Sequence, residues 1–140
     1  GQGDVDDFLQ IEVVPPGGVV PFELALYDVR SVADFELVAM AEPSGEAPRQ
    51  DFEFLDLDAS GDARDYCVTG KVRNPGGGQL GDYLMIVAVL YNDQDNVIYF
   101  DSYEDYSPQD VTGDRTLDFE VCVDPLGQQV ADYDVRAWGN

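Results

Sequence analysis

The sequence contains no histidine, and its one lysine, Lys71, is among only 7 basic residues set against 29 acidic ones. Without imidazole there is no Ser-His-Asp or Cys-His nucleophile and no histidine-held zinc, which removes most hydrolase designs. Long apolar runs are missing too: no stretch approaches the roughly 18 residues a spanning helix needs, so no membrane insertion is expected. A basic, apolar signal segment at the start is also lacking, so export would imply that one has been removed. The formal net charge of −22 repels phosphate backbones and anionic lipid, which argues against nucleic acid as a partner. The acids are scattered through the whole chain and do not form a tail. Such a coat fits adaptation to high salt or a calcium-rich extracellular setting, and both readings stay open.

What is present is a folding sequence. Hydrophobic residues make up 44%, with eight Tyr, seven Phe and one Trp among 140 residues, enough apolar surface to offset chain entropy. Helical periodicity is scarce. Short alternating runs rich in Val, Ile, Phe and Tyr recur between Gly, Pro, Asp and Asn clusters, which predicts an all-β chain. Strands are expected at 8–14, 20–29, 34–40, 51–58, 66–73, 83–92, 96–103, 116–124 and 131–138. That set suits an antiparallel β-sandwich of two sheets. The loop beginning Asn74-Pro75-Gly76 stops a strand, and Asn92-Asp93-Gln94-Asp95-Asn96 reads as a hairpin turn.

The longest break, residues 42–50, reads as a linker, and an internal repeat gives it meaning. Before it stand PFEL from Pro21 and VADFELVA from Val32; near the end stand DFEV from Asp118 and VADYDVRA from Val130. The organisation expected is therefore extra N-terminal strands over 1–41, resembling the closing half of a second sandwich, then the linker, then a whole sandwich over 51–140. A half-sandwich exposes an apolar face and unpaired edges, so something must cover it. The candidates are the chain's own second half, an upstream segment, or a neighbouring subunit. If residues 1–41 are exchanged between copies, the apolar contacts expected to carry assembly are Phe8, Leu9, Ile11, Val13, Phe22, Leu24 and Leu26.

Residues 66–140 resemble the FxLYD domains of bacterial and archaeal surface proteins, which are immunoglobulin-like. The resemblance rests on VTGKVRN from Val68, on Val87-Ala88-Val89-Leu90-Tyr91-Asn92 with Asn96-Val97-Ile98 after it, and on the closing DFEV and YDVRA runs. The name motif departs at Ala88 and Asn92, leaving Leu90-Tyr91 as its conforming centre. The resemblance implies an immunoglobulin-like sandwich in an extracellular or cell-surface protein, with no catalytic residues to carry over.

Alternation puts Cys67 with Thr69 and Lys71, and Cys122 with Glu120, on outward faces of their strands. In an immunoglobulin-like order these strands would be sheet neighbours, so a Cys67–Cys122 cross-strand disulfide is expected, with two free thiols as the alternative. Asp56, Asp58, Ser60 and Asp62 match the first half of a calcium loop, where oxygen ligands alternate. The twelfth position is Cys67 in place of the bidentate Glu, so a solvated Asp-rich loop competes with calcium there. Asp93, Asp95 and Asn96 cluster oxygens at a turn that needs such residues anyway. Tyr91, Tyr99, Tyr103, Tyr106, Tyr133 and Trp138 could stack on sugar, but their register favours packing. The expectation is a non-enzymatic extracellular structural or adhesive protein whose partners are itself or other surface proteins, with no cofactor unless calcium. The second reading is a carbohydrate- or peptide-binding module.

Overall fold

The computed structural model describes residues 4–9, 14, 17–27, 36, 38, 42–43, 51–75, 83–105 and 116–139. The chain divides into two units, Gly1–Ala47 and Pro48–Asn140. The first holds β1 (Asp4–Leu9) and β2 (Phe22–Tyr27), an antiparallel pair in continuous register from Asp4↔Tyr27 to Leu9↔Phe22. In this register Phe22, Leu24 and Leu26 are partnered by Leu9, Asp7 and Val5. Two strands alone are marginal in water, which makes this pair an element that needs a cover.

The second unit is a β-sandwich. Its strands are β3 (Glu53–Gly61), β4 (Tyr66–Arg73), β5 (Leu84–Tyr91), β6 (Val97–Asp105), β7 (Thr116–Val123) and β8 (Asp132–Gly139). One antiparallel sheet has the order β3-β4-β7 and the other β6-β5-β8. Period-2 alternation builds the core. Val68 and Val72 of β4 with Phe119, Val121 and Val123 of β7 face Leu84, Ile86, Ala88 and Leu90 of β5. Phe54 and Phe119 meet edge to face, ring centroids 5.8 Å apart. Gly70 faces inward because a Cβ there would lie 2.8 Å from Leu57 Cδ2 and 3.2 Å from Phe119 Cε1.

β5 is buried on both faces. Val87 and Val89 point away from the sandwich core yet are buried, as are Phe100 and Trp138 beside them in the same sheet. Trp138 is only 1% exposed, and its Nε1 has no acceptor among the described residues.

The expected strands at 66–73, 83–92, 96–103, 116–124 and 131–138 are present to within two residues at each end. Two corrections concern β1 and β3. β1 starts at Asp4, not Phe8, and Val14 lies outside any strand. β3 runs past the expected end at Asp58 to Gly61, through the segment weighed as a calcium or Asp-rich loop, because a bulge between Leu55 and Asp58 absorbs the misfit. Asp56 takes the bulge conformation at φ 53°, which Asp tolerates better than most residues. Pairing then resumes with Asp58↔Thr69, Ala59↔Val68 and Ser60↔Cys67. Of the strand expected at 34–40, Glu36 and Val38 are described and neither is in a strand; the other residues lie outside the described ones.

Candidate interaction surfaces

The two cysteines form the expected disulfide. Cys67 on β4 and Cys122 on β7 are direct register partners, their Cα atoms 4.0 Å apart, on the outer face of the sheet. That pairing disposes of one apparent metal site. Asp65, Cys67 and Cys122 cluster closely enough to hold an ion, but disulfide sulfurs are not thiolates.

The calcium candidates are dispersed. Asp56 occupies the bulge, and Asp58 and Ser60 are rungs of β3. The Asp62 carboxylate is engaged in a turn: Oδ1 accepts from the N–H of Arg64 at 2.8 Å and of Asp65 at 3.2 Å. Among the described residues these acids do not gather their oxygens as a cage would require. Gly61 enters the same turn at φ 149°, where a Cβ would lie 2.1 Å from the Asp65 carbonyl oxygen. No side chain could replace it.

The hairpin between β5 and β6 forms as expected. Asn92 Oδ1 accepts from the N–H of Gln94 at 2.9 Å and of Asn96 at 3.0 Å, and Asp95 sits at φ 61°. Asn92, Asp93 and Gln94 and the segment Gln128–Ala131 line an open cleft of about 500 Å³. A second cleft, of about 440 Å³, is lined by Gly61, Asp62, Ala63, Tyr66, Gln129 and Val130. The two share Gln129 and Val130, so both clefts lie at one end of the sandwich, lined by polar and apolar groups together.

The aromatics do not make a stacking platform. Tyr99, Tyr103 and Tyr133 pack against the core, and Trp138 is buried. Tyr106 lies outside the described residues. Tyr91 is half-buried at the sheet end, where burial first and then Asp134 and Asp132 hold its phenol above the ordinary value, with Arg136 opposing; burial raises Tyr83 likewise.

Charge pairing leaves the acidic coat largely uncompensated. Arg73 Nε donates to Glu53 at 2.9 Å, Arg136 to Asp134 at 2.9 Å, and Lys71 lies 3.9 Å from Asp118, all on exposed or half-exposed strand faces. Asn74 is the only buried polar side chain among the described residues. A desolvated acid–base pair, the usual mark of a catalytic centre, is therefore not found among them.

Of the seven assembly candidates, Phe22 and Leu24 are 53% and 41% exposed on the same face of β2. Leu26 lies in β2, and Phe8 and Leu9 lie in β1, where they are the register partners of Glu23 and Phe22. Ile11 and Val13 lie outside the described residues.

No local pattern in the chain foretells an open side in the sandwich. A Cβ at Gly139, the end of β8, would meet Phe52 Cζ at 2.9 Å, just before β3. At the other end of β8, Gln129 and Val130 share a cleft with the β3–β4 turn. β3 and β8, edge strands of opposite sheets, are thus the two lips of one side. Between these ends Leu57, whose side chain points in towards Gly70, is 41% exposed, and Tyr133 and Val135 on the inner face of β8 are only half-buried. Comparison of the chain with protein-family models, with curated proteins and with solved structures gave no match.

Proposed function

We propose that this protein is a non-enzymatic extracellular structural or adhesive subunit that assembles with itself through β-strand contacts, as in a filament, appendage or surface layer. One observation carries the reading: Phe22 and Leu24 stand exposed on one face of a two-stranded pair whose outer edges have no partner among the described residues. An apolar strand face with open edges is the element used for strand addition between chains. A disulfide on the outer face of the sandwich fits an oxidising compartment. The order β3-β4-β7 over β6-β5-β8 has the connectivity of immunoglobulin strands A-B-E over C′-C-F, which agrees with the FxLYD resemblance.

The test is the native mass by size exclusion with light scattering, with electron microscopy, from low to high salt. Filaments or concentration-dependent oligomers are expected. A compact monomer in every condition would refute assembly. It would turn attention to the second reading, a glycan- or peptide-binding module, for which the clefts at the loop end offer mixed polar and apolar walls. A glycan array with and without calcium then decides that reading, since amide and carboxylate groups alone would bind sugar whether or not calcium is present.

A further inference from the structure

Among the described residues, β8 pairs with β5 on one edge and with no strand on the other. We infer that this edge of β8, with the open side between β8 and β3, is an acceptor for strand β2 of a second copy of this chain. This inference rests on the assembly reading above and names the surface that reading uses.

The acceptor side is built for a strand. β8 pairs with β5 over eight residues, Asp132 to Gly139, without a register shift. Its other edge has no strand among the described residues. The facing lip, β3, is interrupted by the bulge at Asp56, a device that discourages pairing on that edge. One lip is therefore guarded and the other is straight. Below them lie Leu57, Val135 and Tyr133, apolar side chains on the inner faces of the edge strands that core packing leaves partly uncovered. An added strand with apolar residues at every second position would seat them over this rim and satisfy the outward N–H and C=O groups of β8.

The donor side has that pattern. In β2, Phe22 and Leu24 are exposed on one face, and Leu26 follows at the next alternate position of the strand. β1 pairs with one edge of β2, and no other described strand pairs with it. Addition of β2 to β8 would extend the sheet to the order β6-β5-β8-β2-β1. Donor and acceptor are different elements of the chain, so the contact is head-to-tail and propagates until it closes into a ring or grows as a filament. Each copy carries a charge of −22, so the contact forms against repulsion and strengthens as salt rises.

The experiment uses the full chain and the double variant Phe22→Ser/Leu24→Ser, which removes exposed apolar groups without changing charge. Sedimentation velocity over a hundredfold range of concentration, at 0.1 and 1 M NaCl, is combined with hydrogen exchange of the β8 amides. Expected for the parent are oligomers that grow with concentration and salt, with β8 protection rising in step. The double variant should weaken association about a hundredfold, the loss of two anchor side chains, with the melting of the sandwich unchanged. Leu57→Ser, on the acceptor lip, should weaken it about tenfold. Oligomers that persist in the double variant with β8 amides still exchanging fast would overturn the acceptor site and leave assembly standing. β8 amides as well protected in dilute monomer as in oligomer would show the edge filled by the chain itself and overturn the inference. A monomer throughout would overturn both readings.

Discussion

Single residues decide how the sandwich responds to pH. The phenol of Tyr91 is held above its ordinary value of 10.0, by burial first, with Asp134 and Asp132 adding and Arg136 opposing; Tyr83 is raised by burial. In the unfolded chain both titrate near the ordinary value, so between that value and the raised one the folded state holds more protons. Stability from this source is fully present below about pH 10 and is lost as pH rises through the folded value. Urea midpoints should be flat from pH 7 to 9 and fall above 10, and Tyr91→Phe should reduce the fall. An unchanged alkaline profile in Tyr91→Phe would show that Tyr91 does not contribute. Single residues also set what the backbone allows. Gly61 and Gly70 are fixed by contact, the first against the Asp65 carbonyl and the second beneath Leu57 and Phe119.

At the scale of elements, the β5–β6 hairpin shows how a turn is specified. The Asn92 carboxamide accepts two backbone N–H groups that the loop would otherwise leave to water. Asn92→Ala should destabilise the sandwich by about 1 kcal/mol, read as a lower urea midpoint with an unchanged slope. The hairpin was legible in the sequence because turn chemistry is local, and β4 to β8 were legible because inward and outward residues alternate. The same alternation placed Cys67 and Cys122 outward; their pairing followed from an immunoglobulin-like order. Where the signal was not local, the reading went astray. The strand expected to end at Asp58 runs on to Gly61, because a bulge at Asp56, invisible to simple alternation, restores the pairing and sends Leu57 towards Gly70. The burial of Val87 and Val89 could not be read either, since an unbroken apolar run does not reveal whether one face or both are covered. The open side between β3 and β8 depends on which strands become edges, and topology is not written in any one segment.

For the whole molecule the governing quantity is charge. With 29 acids and 7 bases, and with Lys71, Arg73 and Arg136 each already beside an acid, the folded chain is under self-repulsion that unfolding relieves. Raising salt from 0.1 to 1 M shortens the screening length from about 10 Å to about 3 Å. The melting temperature of the monomeric Phe22→Ser/Leu24→Ser variant should rise by about 5 °C over that range, equivalent to roughly 1 kcal/mol for a domain of this size. A flat response would mean that the acids are spaced too widely to matter. The disulfide has a different consequence at this scale, one that concerns force. Cys67 and Cys122 stand 55 residues apart and are joined across neighbouring strands. A subunit pulled from its two ends can therefore pay out only the chain outside that loop. The bond withholds roughly 190 Å of extension at full stretch. Even with its sandwich torn open, the oxidised chain would remain a short, recoverable link, which in the proposed assembly would limit lengthening under load.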